Sequence, residues 1–300
     1  MTRRQTVLLL ALAAIWGGSY ALIKVALDDG MPWAWVAFLR IALGAVVITL
    51  LAARAVGLRA LAARPRWTFL VGAAQIGIPF LLIPWAERHV PSGLAGVLVA
   101  TAPLFTALLG LRYAPDTALG PRGLVGVAVG FVGVVLLFAA DLAGHGELVV
   151  GGLALVLAAL GYGIGSTLSR RTLMGVPPLA VSGASLWWAT LIAAVPAAAS
   201  GGLPTPSTGT VLAVAFLGAV GTGIAYLIFF TLVTEIGPSR TMFVTYLAPV
   251  FALGYGLAFL DEALTVGAIV GIVLVVGGSL LGRERGGGRA AATAPEAPGA

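Results

Sequence analysis

The chain has 300 residues, 60% of them hydrophobic and only 9% charged, with a formal net charge of +6. Soluble domains hold about 45–50% apolar and about 25% charged residues, so this balance leaves too little polar surface to cover a water-exposed globule. With no cysteine and two histidines, disulfides, thiolate metal sites and histidine-based metal clusters are excluded, and no metal or cofactor is expected.

A helix needs about 20 apolar residues to cross the hydrocarbon core. Ten segments meet this condition: Thr6–Leu27, Trp33–Ala53, Trp67–Ala86, Ser92–Leu111, Arg122–Ala140, Val149–Ser169, Leu179–Ala199, Thr210–Val233, Thr241–Leu260 and Thr265–Leu281. The expected fold is an all-α integral membrane protein of ten transmembrane helices. The breaks between spans carry turn chemistry, as in DDGMP from Asp28, GVPP from Gly175 and SGGLPTPSTG from Ser200. The first span follows TRRQ, which resembles a signal-peptide start. Its apolar run outlasts an h-region and continues to Leu27, so it reads as a retained helix.

Basic residues divide sharply between the two sides. Arg3, Arg4, Arg54, Arg59, Arg64, Arg66, Arg112, Arg122, Arg170, Arg171, Arg240, Arg283, Arg285 and Arg289 fall on one side, and Arg88 stands alone on the other. The acids Asp28, Asp29, Glu87, Asp141, Glu147, Asp261 and Glu262 gather opposite the arginines. The positive-inside rule places both termini in the cytoplasm, most simply at the cytoplasmic membrane of a prokaryote. It also accounts for the net charge without a nucleic-acid partner; lipid and a small molecule are the expected partners. The tail from residue 283 to 300 is rich in Gly, Ala and Pro, as a disordered cytoplasmic segment would be.

The chain is duplicated. WGGSYALIK from Trp16 aligns with YGIGSTLSR from Tyr162, and TAPLFTALLG from Thr101 aligns with LAPVFALGYG from Leu247. ERHVPS from Glu87 and DTALGPRGLVG from Asp116 likewise find partners in TEIGPS from Thr234 and DEALTVGAIVG from Asp261. Residues 1–142 form the first copy and 149–282 the second. Five spans per copy make the second enter the membrane from the opposite side, giving two five-helix inverted-topology repeats. Such folds bind substrate near mid-bilayer between the halves and work by alternating access.

WGGSYALIKVAL from Trp16, the Pro-containing loop after it and AFLR ending at Arg40 resemble the first repeat of EamA-type transporters of the drug/metabolite transporter superfamily. The stretch LAPVFALGYGLAFLDEALTVGAIVGIVLVVGGSLL from Leu247 is similar to the end of that family's second repeat. The resemblance implies a central cavity and export of small metabolites such as amino acids, or of amphiphilic toxic compounds. Where members commonly carry Glu, the first repeat has Thr117 after Asp116, so only Glu262 matches.

Charge within a span is costly, which makes Arg40 the leading candidate to bind a substrate carboxylate. The alternative is a structural bridge to Asp28 or Asp29. Lys24 lies near a helix end and is close enough to snorkel. Lys24, Glu87, Glu235 and Glu262 are the coupling candidates; the three acids stand at span ends or turns, where solvation is the ordinary explanation. Trp16 and Tyr20, four apart, and Tyr162 and Ser166, at the same spacing in the second copy, read as opposing cavity walls. Ser19, Gln75, Trp187, Tyr226 and Tyr246 complete the candidate substrate-binding set. Pro79, Pro103 and Pro249 are hinge candidates; the last two are repeat partners. Glycines spaced three or four apart, as at Gly126, Gly130 and Gly133, give faces suited to contact between halves or between two copies of the chain.

A membrane enzyme would require a catalytic cluster, and neither a Ser–His pair nor HExxH occurs. A channel or scaffold is the remaining alternative. No GxxxxGK[ST] motif occurs either, which leaves gradient-driven transport rather than ATP-driven pumping.

Overall fold

The computed structural model describes residues 1–113, 146–201, 205–236 and 241–259, with isolated positions between 121 and 132 and between 269 and 277. The fifth and tenth spans, the turns at Asp116 and at Asp261–Glu262, and the tail lie largely or wholly outside the described residues. Regular structure among the described residues is entirely helical. In chain order it comprises α1 (Arg3–Asp28), α2 (Trp33–Ala55), a short 3-10 turn (Leu58–Ala62), α3 (Pro65–Ala86), α4 (Ser92–Val99) and α5 (Ala102–Tyr113). The second copy supplies α6 (Gly146–Thr172), α7 (Pro178–Ala199), α8 (Thr208–Ile236) and α9 (Phe243–Phe259). Seven helices among the described residues are long and apolar enough to cross a membrane, with α4 and α5 sharing one of them.

Local chemistry sets several helix ends. Thr2 and Gln5 form a reciprocal capping box at the start of α1, and Pro65 occupies the first turn of α3, where its missing N–H costs nothing. Ser207 caps α8 by accepting from Thr210 N at 3.3 Å.

Polarity is inverted relative to a soluble protein. Val195 is 72% exposed and Leu212, Leu153 and Leu50 are likewise open, whereas Arg40, Gln75, Thr222 and Glu87 are buried. This distribution suits a lipid solvent. In lipid no hydrophobic drive holds one helix to another, so close packing and interhelical hydrogen bonds must.

The contacts that hold the bundle repeat with the sequence. Gly17 of α1 lies against Ala248, Phe251 and Ala252 of α9; its repeat partner Gly163 of α6 lies against Phe105 and Thr106 of α5. Phe251 and Phe105 stand one repeat apart, as do Gly17 and Gly163. Gly72 of α3 abuts Ser185 of α7, and its partner Gly218 of α8 abuts Leu43 of α2. Each seam therefore joins one copy to the other. The absence of a side chain is what allows these backbones to meet.

Helix senses follow from the end contacts. At one end Arg4 Nη1 donates to Glu235 Oε1 at 2.7 Å; at the other, Asp29 Oδ2 accepts from Thr210 Oγ1 at 2.7 Å and Ser207 N at 2.9 Å. Thus α1 and α8 are antiparallel. Arg64 donates to the Thr172 carbonyl at the end of α6, while Gly151 near its start lies beside Ala86 and Val90, so α3 and α6 are also antiparallel.

The Asp29 contacts give a pH prediction. Hydrogen bonds from Thr210 and Ser207 hold this carboxyl below its ordinary value of 3.8. A carboxylate with a lowered folded-state pKa contributes stability above its ordinary value and loses it as pH falls through the lower one. In detergent, wild type should melt above Asp29→Asn by a constant margin above about pH 5, and the margin should close as the pH drops below 3.8. A margin independent of pH would remove the carboxylate from this role.

Both long helices α3 and α8 contain a π-helical segment, Ala73–Gly77 and Ala219–Ile224. The two begin exactly one repeat apart, at positions the hydropathy pattern does not mark. Such insertions widen a helix locally and are frequent at functional sites.

Candidate functional site

Near the middle of the bundle lies a cavity of ≈ 50 Å³. Trp16, Ser19, Tyr20 and Ile23 of α1 form one side, with Arg40 of α2 and Gln75, Phe80 and Ile83 of α3. Residues of the broken fourth span and Tyr162, Phe229, Met242, Thr245 and Ala248 of the second copy close it. The break is at Ala100–Thr101, between α4 and α5, where Thr101 Oγ1 donates to Leu98 O at 2.8 Å. Non-helical backbone at membrane depth is tolerated where it lines a cavity.

Arg40 is the charged centre of this site. It is 3% exposed, its guanidinium sits 4.0 Å over the Phe80 ring, and Nε donates to Thr222 Oγ1 at 3.4 Å. Among the described residues it makes no ion pair. The bridge to Asp28 or Asp29 does not form: Lys24 pairs with Asp28 at 3.4 Å, and Asp29 caps α8. Trp16 lines the same cavity, and its buried indole N–H has no hydrogen-bond partner among the described residues. Two underused donors, one of them cationic, suit an oxyanion.

Gln75 ties the copies together. Its side-chain Oε1 accepts from Ser166 Oγ of α6 at 3.0 Å, and its backbone carbonyl accepts from the Tyr226 hydroxyl of α8 at 3.0 Å. Pro79, four residues on, lacks the N–H that an α-helix would bring to that carbonyl; Tyr226 supplies a replacement from the other repeat. Tyr226→Phe should therefore cost about 1–3 kcal/mol, read as a lower melting temperature, because a buried carbonyl loses its donor. An unchanged melting temperature would show that the bond carries no weight.

Six of the ten predicted substrate-binding residues line the cavity: Trp16, Ser19, Tyr20, Arg40, Gln75 and Tyr162. Ser166 and Tyr226 stand directly behind them. Tyr226 is fully buried, with its ring 5.8 Å from Trp16 and 6.0 Å from Phe80. Tyr246 is half-buried against the core cluster that contains Tyr20 and is not part of the lining. Trp187 lies elsewhere: it is 41% exposed on the outer face of α7, where its indole donates to Thr49 Oγ1 at 2.9 Å. The rotation of α7 turns that face outward.

The coupling candidates separate in the same way. Lys24 pairs with Asp28 and Glu235 pairs with Arg4, each at a helix end. Glu87 does not fit the expected solvated helix end: it is 0% exposed and within electrostatic reach of Arg40 and Tyr20. Glu262 lies outside the described residues. Of the prolines, Pro79 follows the π segment of α3, Pro103 opens α5 just past the break, and Pro249 lies inside α9.

Sequence reading missed Phe80, Phe229, Met242, Thr245 and Thr222. Phe80 had a signal, because the repeat offset applied to Tyr226 points to it. The others are ordinary apolar or hydroxyl residues in apolar spans.

The model of the EamA-like transporter family matches residues 4–139 and 149–282. The chain belongs to this family. It is a multi-pass membrane transporter built of two EamA repeats. An inner membrane transporter of Escherichia coli K12, YedA, is 30% identical over 289 residues, covering 89% of each chain. A protein named probable amino-acid metabolite efflux pump from the same strain is 28% identical, covering 93% of this chain and 94% of its own. One named probable terminal-alkyne amino-acid exporter, from Streptantibioticus cattleyicolor, is 27% identical over 91% of both. A solved crystal structure that is 23% identical aligns with a TM-score of 0.71 over 94% of this EamA-like chain and 98% of the other, a shared fold.

Proposed function

We propose that the protein is a secondary exporter of small carboxylate-bearing metabolites, of the amino-acid class, working by alternating access between two inverted five-helix repeats. The observation that carries this reading is the buried guanidinium of Arg40, without an ion-pair partner among the described residues, in a mid-bundle cavity lined by both copies. A charge is expensive in a membrane interior, and a substrate carboxylate would be its counter-ion. The opposed senses of α3 and α6 support the inverted arrangement, with ten spans in all, both termini cytoplasmic and the inner membrane as location. The names of two relatives favour amino-acid metabolites and export.

Ligand pockets usually span about 300–1,000 Å³, well above the ≈ 50 Å³ found here. The cavity is too small for such a ligand, so the halves must part to admit substrate. Pro103 and Pro249 flank it as hinges. Pro249→Ala should slow counterflow while leaving binding intact; unchanged transport would remove the hinge role.

Glu87 is the described carboxylate placed to couple transport to protons, because it is buried and senses Arg40. The test of the whole reading is counterflow in proteoliposomes loaded with amino acids, sugars or organic cations. Exchange of carboxylated amino acids supports it. Exchange of cations alone would instead favour a drug-like role for the aromatic walls, and exchange of nothing would return attention to a channel or scaffold.

A further inference from the structure

A second hollow, of ≈ 290 Å³, opens on the outer face of the bundle and owes nothing to the central site. Its walls are Leu61 and Ala62 of the 3-10 turn, Pro65 of α3, and Trp187, Trp188 and Leu191 of α7. The walls are ordered. Trp187 is held by Thr49 at 2.9 Å, the Trp188 ring meets Phe69 edge-on at 5.4 Å, and Leu61 packs against Gly183. Trp187 and Leu191 stand roughly 14 and 20 Å along α7 from its start at 1.5 Å per residue, which is acyl-chain depth.

The mouth is basic. Arg59 lies on the 3-10 turn, and Arg64 and Arg66 flank the wall residue Pro65; all three are exposed. Arg64 donates to the Thr172 carbonyl and Arg66 lies 5.3 Å from the Trp67 ring centre. Among the described residues none of the three forms an ion pair. The sequence has no Asp or Glu from Gly30 to Ala86 or from Leu148 to Thr234, so α2, α3 and α7 bring no negative charge to this place.

We propose that this groove is a binding site for one anionic phospholipid, with its phosphate held by Arg59, Arg64 and Arg66 and an acyl chain laid along Trp187 and Leu191. Charge complementarity selects this occupant. A neutral lipid would leave three guanidiniums without a counter-ion among the described residues, and a second copy would bring its own arginines to the same end. The groove also spans the junction of α3 with α7, one of the seams between repeats, where Gly72 meets Ser185. A lipid seated there would bridge the two halves that must move against each other.

The test is native mass spectrometry of the detergent-purified full chain mixed with equal amounts of palmitoyl-oleoyl phosphatidylglycerol and phosphatidylcholine, which share acyl chains. The wild type should retain phosphatidylglycerol at least about fivefold over phosphatidylcholine. Arg59→Gln, Arg64→Gln and Arg66→Gln together should abolish the preference, whereas Arg170→Gln with Arg171→Gln should leave it. Leu191→Trp, which fills the groove at an exposed position, should lower retention of both lipids. Equal retention by the wild type, a preference that survives the triple substitution, or a dimer peak in place of lipid adducts would each overturn the proposal. None of these readouts depends on the transported substrate.

Discussion

Arg40→Gln should lower counterflow of carboxylate-bearing amino acids by about 10- to 150-fold while leaving the protein folded. The range is what a hydrogen bond to a charged group is worth, about 1.5–3 kcal/mol. The accompanying stability change is the sharper test. Arg40 is buried with no ion pair among the described residues; Phe80 lies under its guanidinium, one long bond joins it to Thr222, and Glu87 acts on it electrostatically. Removing a buried charge that makes no direct ion pair among the described residues should hold or raise the melting temperature, since its desolvation is costly to the fold. A structural arginine would behave the other way, with stability and transport falling together. Arg40→Lys should recover only part of the activity, because a point charge cannot offer a carboxylate the planar two-pronged contact of a guanidinium. If Arg40→Gln transports at the wild-type rate, the carboxylate site is elsewhere.

Gly17→Ala should be among the most damaging single added methyls at the described glycines. A Cβ at this position would sit 2.5 Å from Phe251 Cβ, 2.6 Å from the Ala248 carbonyl and 2.9 Å from Ala252 N. Two of these atoms are backbone, so no rotamer change relieves the clash and α1 must move away from α9. Overpacking of this kind costs about 1–3 kcal/mol. Transport should fall as well, because Trp16 and Ala248 beside the contact line the cavity. Gly163→Ala should act in the same direction through Phe105 Cβ at 2.8 Å. Gly110→Ala is the control: nothing among the described residues lies within 4 Å of the added methyl, so stability should hold or rise slightly. Melting curves of the three variants decide the matter; equal stability of Gly17→Ala and Gly110→Ala would mean that the α1–α9 seam is loose.

The membrane class, the duplication and the register between its copies were legible in the chain itself. Twenty-residue apolar runs and one-sided arginines are consequences of the bilayer, and they need no tertiary knowledge to read. Arg40 was legible for the same reason, since a charge in an apolar span stands out. Trp16, Tyr20 and Tyr162 were legible because the repeat offset aligned two aromatic stripes.

Helix rotation was a matter for the tertiary structure. In water, the polar face of a helix tells which side is out; in lipid both faces are apolar, so hydropathy does not separate the face that meets lipid from the one that meets protein. That is why Trp187 reads as a cavity residue and lies outside, and why Glu87 reads as a solvated end and lies buried. Phe229, Met242 and Thr245 became site residues only through the packing of α8 and α9 on α1. The paired π segments belong to the same category. An extra residue in a helical turn has no composition of its own, and it is held by contacts, such as those of Thr222 with Arg40 and of Gln75 with Tyr226, that exist only once the two copies have packed.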